Sequence, residues 1–105
     1  MHIQIVNFKL KGITRADYEA LCEQVAPAVA ALPGLISKVW LADERTNSYG
    51  GIYTWRDREA MEGFLKTELF RAVATNPNLA DITSRDFDIQ ERFSAVTSAV
   101  RPVAA

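Results

Sequence analysis

The chain has 105 residues, 49% of them apolar and 24% charged, with 12 basic residues against 13 acidic ones and a formal charge of −1. That length is one domain with a thin core, and so small a net charge provides no field to draw nucleic acid or an anionic membrane surface. The single cysteine, Cys22, excludes an intrachain disulfide, no apolar run approaches the ~20 residues of a spanning helix, and the N-terminus lacks the basic start and apolar centre of a signal peptide, so the expected setting is the reducing cytoplasm.

Residues 2–10 predict a first strand. Ile3 and Ile5 point to one face, Val6, Phe8 and Leu10 to the other, so both faces need cover. Asn7 shares the side of Ile3 and Ile5. Gly12 breaks the strand, and Thr14 with Asp17 three residues later reads as a capped helix start. The helix is expected to run to about Ala31, with a stripe of Tyr18, Leu21, Cys22, Val25, Val29 and Leu32. Pro27 inside it predicts a kink or an early end near Ala26. Pro33 and Gly34 then turn the chain.

Residues 35–42 and 49–55 read as the arms of one hairpin around a polar turn from Asp43 to Ser48. Both tryptophans of the chain lie in these arms. Pairing Ala42 with Tyr49 sets Trp40 opposite Gly51, Lys38 opposite Tyr53 and Ile36 opposite Trp55. Directly opposed residues share a face, so this register gathers Lys38, Trp40, Tyr49, Tyr53 and Trp55 on one side. Leu35, Val39, Leu41 and Ile52 make an aliphatic surface on the other. The Gly50-Gly51 pair inside the strand would make room for Trp40. Asp57 caps a second helix whose stripe is Met61, Phe64, Leu65, Leu69 and Val73. Asn76, Pro77 and Asn78 form a turn. A fourth strand follows at about 82–90, with Phe87 and Ile89 facing in and Asp86, Asp88 and Gln90 facing out. The expected domain is 1–92, and the tail 93–105 reads as a short helix or an arm.

The order strand, helix, strand, strand, helix, strand defines an α+β class fold: a ferredoxin-like βαββαβ unit with an antiparallel sheet and both helices on one face. The other face would then expose a larger apolar patch than a monomer usually carries, which predicts a twofold homodimer packed sheet against sheet. The alternative is that the tail folds back over that face.

Pro33-Gly34 followed by Lys38-Val39-Trp40, then Gly50-Gly51-Ile52-Tyr53 and a helix led by Asp57, resembles the YdhR-type putative monooxygenase family. The segment from Phe87-Asp88-Ile89 through Glu91, Phe93 and Ser94 is similar too, and Tyr53-Thr54-Trp55 with Glu59-Ala60 is similar to the wider group of antibiotic-biosynthesis-type monooxygenases. The resemblance spans nearly the whole chain. It implies a dimeric α/β barrel of ferredoxin-like subunits and, for the wider group, oxidation of phenolic polyketides by O₂ without metal or flavin. It also implies a pocket using a strand Asn, a Trp and a Tyr, parts that Asn7, Trp55 and Tyr53 would take. Haem-degrading relatives need a His on the second helix. The only His here is His2, so haem degradation is disfavoured.

Residue chemistry is consistent with an absence of cofactors. One His and one Cys without close carboxylate spacing make a dedicated metal site improbable. No glycine-rich turn leads from a strand into a helix to hold a flavin or nicotinamide. Cys22 reads as a small buried thiol. Trp40, Tyr53 and Trp55 either simply pack or wall a pocket that stacks a flat substrate. Lys38 beside Tyr53 either reaches solvent at the sheet edge or stabilises a phenolate-like anion. Asn7 is a ligand contact or a fixed hydrogen-bond node. Arg85 could meet an anionic ligand or pair with an acid across a dimer. The expected site is therefore Asn7, Tyr53 and Trp55 for chemistry, with Lys38, Trp40, Phe64 and Arg85 contacting a small aromatic substrate. The alternatives are a non-catalytic binder of the same kind of ligand and a purely structural dimer module.

Overall fold

A computed structural model describes residues 1–98 of the chain. The elements are β1 (His2–Leu10), α1 (Arg15–Ala30), β2 (Leu35–Asp43), β3 (Ser48–Trp55), α2 (Arg58–Leu65), α3 (Glu68–Thr75), β4 (Leu79–Asp88) and α4 (Glu91–Thr97). The strands form one antiparallel sheet in the order β2-β3-β1-β4, the ferredoxin-like arrangement expected from the element order. No described helix is long and apolar enough to cross a membrane.

Local chemistry accounts for the helix boundaries. The Thr14 hydroxyl accepts from the Asp17 N–H at 3.1 Å, and the Asp17 carboxylate accepts from the Thr14 N–H at 3.0 Å, a reciprocal cap. Those bonds hold the Asp17 carboxyl below its ordinary range. Helix α1 does not end at Ala26: it continues through Pro27 to Ala30. The helix expected after Asp57 is two helices, not one. Asp57 caps α2 through the Ala60 N–H at 2.8 Å, and Thr67 starts α3 by accepting from the Phe70 N–H at 3.2 Å. The chain breaks at Lys66 because Thr67 takes an extended conformation to cap the next turn. Phe70 is thereby placed edge-on to Phe64, ring centres 5.2 Å apart, while Leu65 stays 38% exposed.

The sheet has two unlike faces. His2, Gln4, Val6 and Phe8 of β1 are buried on the helix side, together with Tyr49, Tyr53 and Trp55 of β3. Ile3, Ile5 and Asn7 take the opposite side, next to Thr54, Ile52 and Gly50 in β3 and Phe87, Arg85 and Thr83 in β4. The inward and outward sets predicted for β4 are therefore exchanged. Asp86 and Asp88 share the helix side with Gln4 and His2, whereas Phe87 lies on the open side, 44% exposed. Alternation was read correctly within β4, but its phase is set by β1, where a buried His2 and Gln4 draw polar partners.

The hairpin register is as expected from Ala42↔Tyr49 to Lys38↔Tyr53. It then slips: a bulge between Leu35 and Ser37 brings Leu35, not Ile36, opposite Trp55 and leaves Ile36 54% exposed. Part of the expected tail is helix α4, whose Phe93 and Val96 are 60% and 72% exposed. Residues 99–105 of that tail lie outside the described residues.

Candidate active site

Between α1, the helix side of the sheet, and α2 with α3 lies a cavity of about 120 Å³. An apolar cavity of about 150 Å³ accepts a benzene molecule, so this space fits roughly one ring. The floor is Val6, Phe8, Gly51 and Tyr53 of the sheet, and the α1 wall is Tyr18, Leu21, Cys22, Val25 and Val29. Those α1 residues are all members of the stripe read from sequence. Phe64, Leu69, Phe70 and Val73 close the far wall. Phe8, Tyr18 and Tyr49 pack edge to face, with centres 5.6 and 5.3 Å apart, and so fix one end.

Among the described residues, Lys38 is the one charged side chain on this wall. Its ammonium lies 3.4 Å from the centre of the Trp40 ring and 4.7 Å from that of Tyr53, a cation–π seat. The side chain lies over these two rings, and the residue remains half-buried. The glycine expected to accommodate Trp40 accommodates this lysine: a Cβ on Gly51 would sit 2.6 Å from Lys38 Cε. Burial pushes the Lys38 ammonium down to about 8, and burial pushes the Tyr53 phenol up to about 12. Tyr18 is pushed up as well, chiefly by burial. Tyr53 therefore stays a neutral phenol at neutral pH. Trp40, 39% exposed, and Cys22 border both the cavity and an outer groove along α1 that includes Glu19 and Glu23.

Of the residues expected at the site, the structure brings together Lys38, Trp40, Tyr53 and Phe64. Trp55 stands one layer behind. It is fully buried, stacks on Tyr53 at 5.8 Å and 4°, and touches Phe64 at 5.3 Å. It borders a separate groove with Pro33, Arg56 and Ala60 rather than the cavity. Asn7 and Arg85 do not join them. Strand alternation puts both on the open side, where the Asn7 amide reaches the Tyr49 carbonyl at 3.5 Å.

A buried polar chain went unnoticed in the sequence. The Trp55 indole N–H donates to Gln4 Oε1 at 3.0 Å, and Gln4 Nε2 donates to the Ser84 hydroxyl at 2.9 Å. Beside it the His2 ring lies between Asp88, 2.8 Å from Nδ1, and Asp86, 2.6 Å from Nε2. Arg58 of α2 reaches Asp86 at 3.8 Å. The carboxylates sit at opposite ring nitrogens and so do not converge as ligands, and no potential metal-holding cluster occurs among the described residues. The signal was available: Gln4 and His2 have the parity of Val6 and Phe8.

No curated protein matches the sequence. Solved structures do match in fold. A putative antibiotic biosynthesis monooxygenase from Deinococcus radiodurans is 16% identical, with a TM-score of 0.73 over 99% of this chain and 100% of that one. SnoaB, a cofactor-independent oxygenase from Streptomyces nogalater, is 24% identical, with a TM-score of 0.66 over 85% of this chain and 93% of that one. The heme-degrader MhuD from Mycobacterium tuberculosis, solved with two hemes in its active site, is 18% identical, with a TM-score of 0.68 over 86% of this chain and 96% of that one. Such identities carry the fold alone. The sequence itself matches the family model described as "Putative mono-oxygenase ydhR" across residues 3–100, and the chain belongs to that family.

Proposed function

We propose that the protein is a monooxygenase that uses no metal or flavin and oxidises a small aromatic molecule with O₂ in the cavity beneath α1. The observation that carries this reading is the cavity itself: a one-ring space walled by Tyr18, Trp40, Tyr53, Phe64 and Phe70, with a single cation on its wall among the described residues. Family membership and the oxygenase fold relatives support it. An electron-rich aromatic anion can surrender electrons to O₂ directly. For a phenol the balance closes without a reductant: one oxygen atom replaces two ring or methylene hydrogens, and the other leaves as water. The Lys38 ammonium would hold the negative charge in place, and Tyr53, neutral at working pH, would stack on the ring or donate to its oxygen.

The experiment is oxygen uptake with a panel of one-ring phenols and hydroquinones. The expected result is uptake matched by quinone formation without hydrogen peroxide, with kcat/KM reduced about tenfold to a hundredfold in Lys38→Met, the range for losing a charged hydrogen-bond partner. Binding of the panel without any uptake contradicts the oxygenase reading and leaves a ligand-binding protein of the same fold.

The assembly proposed with this function is a homodimer. In one chain the open side of the sheet presents Ile3, Ile5, Ile52, Val39 and Phe87, with Val39 56% exposed, and the described part of α4 leaves its own apolar residues in solvent rather than burying them there. A second copy would cover that side and take Asn7 and Arg85 into the interface, away from the cavity. Sedimentation equilibrium is expected to give twice the chain mass, and Phe87→Glu to shift it to the single chain. A wild-type protein that stays a single chain at micromolar concentration contradicts the dimer.

A further inference from the structure

The cavity poses an electrostatic problem that packing does not solve. Lys38 is half-buried, and a lysine ammonium partly withdrawn from water normally gains a carboxylate or several hydrogen-bond acceptors. Here neither is supplied. No Asp or Glu lines the cavity, and among the described residues Lys38 enters no ion pair. What faces the ammonium are two aromatic rings, Trp40 of its own strand and Tyr53 of β3. The remaining walls contribute the Tyr18 phenol and Cys22 thiol of α1, and only apolar side chains and the Asn76 amide from α2, α3 and the turn after them. Glu19 and Glu23 border the separate groove outside Trp40. The lysine stem is held in this position by the missing side chain of Gly51. The site thus has a fixed cation, an apolar ring-sized volume next to it, and no counterion.

We propose that the cavity is a binding site for a small apolar monoanion, a single-ring carboxylate or phenolate, whose acid group replaces the missing counterion of Lys38. The hydrophobic part is recognised by the walls and the charge by one lysine, so the selected ligand carries one negative charge and no second charged group. Dianions and phosphates are disfavoured, because no second cation lines the space among the described residues. Three-ring acids exceed the roughly one-ring volume. The proposal rests on the cavity assigned above as the site of function. It does not rest on oxygen chemistry, so binding and oxygen uptake succeed or fail separately.

Proton linkage supplies a signature. The anion pairs with the ammonium form only. Lys38 in the empty protein loses its proton near pH 8 because burial disfavours the charge, and a bound anion restores that charge. Affinity should therefore be level below about pH 8 and fall about tenfold per pH unit above it, one proton being taken up on binding. The phenols of Tyr53 and Tyr18 are pushed up by burial and stay neutral through this range.

The test is calorimetric titration with benzoate, with benzyl alcohol as a neutral match in size. The wild-type protein is expected to prefer benzoate at pH 7, to lose that preference about tenfold per pH unit above pH 8, and to reject anthracene-9-carboxylate. Lys38→Met, which keeps an apolar stem and removes a charge without an ion-pair partner, should lose benzoate affinity about tenfold or more while holding benzyl alcohol unchanged. 4-Nitrophenol distinguishes the acid groups, since capture as phenolate shows directly in its visible absorbance. Equal benzoate affinity in wild type and Lys38→Met, or a flat pH profile in the wild type, overturns the proposal. The wild-type pH profile decides the matter even where the variant does not fold.

Discussion

Replacing Gly50 with alanine is expected to lower the thermal midpoint by about 12–24 °C, the consequence of losing about 3 kcal/mol at about 4–8 °C per kcal/mol for a domain near this size. Gly50 sits at φ +142°, a conformation closed to other residues, and a Cβ there would lie 1.9 Å from the Val6 carbonyl oxygen and 3.0 Å from Asn7 Cα. Both contacts are to backbone of the neighbouring strand, so no side-chain rotation relieves them. The β1–β3 ladder has to open where Asn7 pairs with Gly50. That ladder carries Val6 and Gly51, two residues of the cavity floor, so the variant should also lose whatever binds there. Differential scanning calorimetry checks the first effect. A midpoint within a few degrees of wild type would show that the two strands are not this close.

Trp55→Ala is expected to cost about 3–5 kcal/mol, the range for emptying a large aromatic site in a core, a large part of the stability of any small domain. Trp55 is fully buried, and its ring packs on Tyr53 and Phe64. Truncation removes that stack and also leaves Gln4 Oε1, itself inside a fully buried side chain, without its indole donor. The two parts separate. Trp55→Phe keeps most of the volume and loses the hydrogen bond, for about 1–3 kcal/mol. Adding Gln4→Leu should recover much of that loss, because an apolar pair no longer strands a buried acceptor and the exposed Ser84 can turn to water. Urea denaturation of the four proteins gives the coupling. Additive losses in the double variant would contradict a shared buried bond.

How far the sequence could be read depended on which force dominated each position. The α1 stripe was legible because five of its apolar residues, Tyr18 to Val29, wall one cavity and keep a helical period. The central hairpin was legible because Lys38, Trp40, Tyr49 and Tyr53 alternate cleanly with Val39, Leu41 and Ile52. Its far end was not, because the bulge at Ile36 is a choice between two pairings of similar apolar residues. The break between α2 and α3 is written in Thr67, whose hydroxyl begins a helix as readily as it interrupts one. The site was half legible. Lys38, Trp40, Tyr53 and Phe64 were placed together by register and stripe. Arg85 follows from the parity it shares with Phe87, which lies on the open side, and Asn7 from the strand Asn that the resemblance implies, which the parity of Ile3 and Ile5 puts on that same side. His2 and Gln4 were passed over because polar residues are usually outside, and only their hydrogen bonds to Asp86, Asp88, Ser84 and Trp55 explain why these two are not.

Everything functional here depends on where a ligand sits. A crystal structure of the protein soaked with 4-nitrophenolate answers that directly. The expected density is one ring under α1, over the floor of Val6, Phe8 and Tyr53, with its phenolate oxygen within hydrogen-bond distance of Lys38 Nζ. A ligand found instead on the open side of the sheet beside Asn7 and Arg85, with the space under α1 empty, would contradict the account.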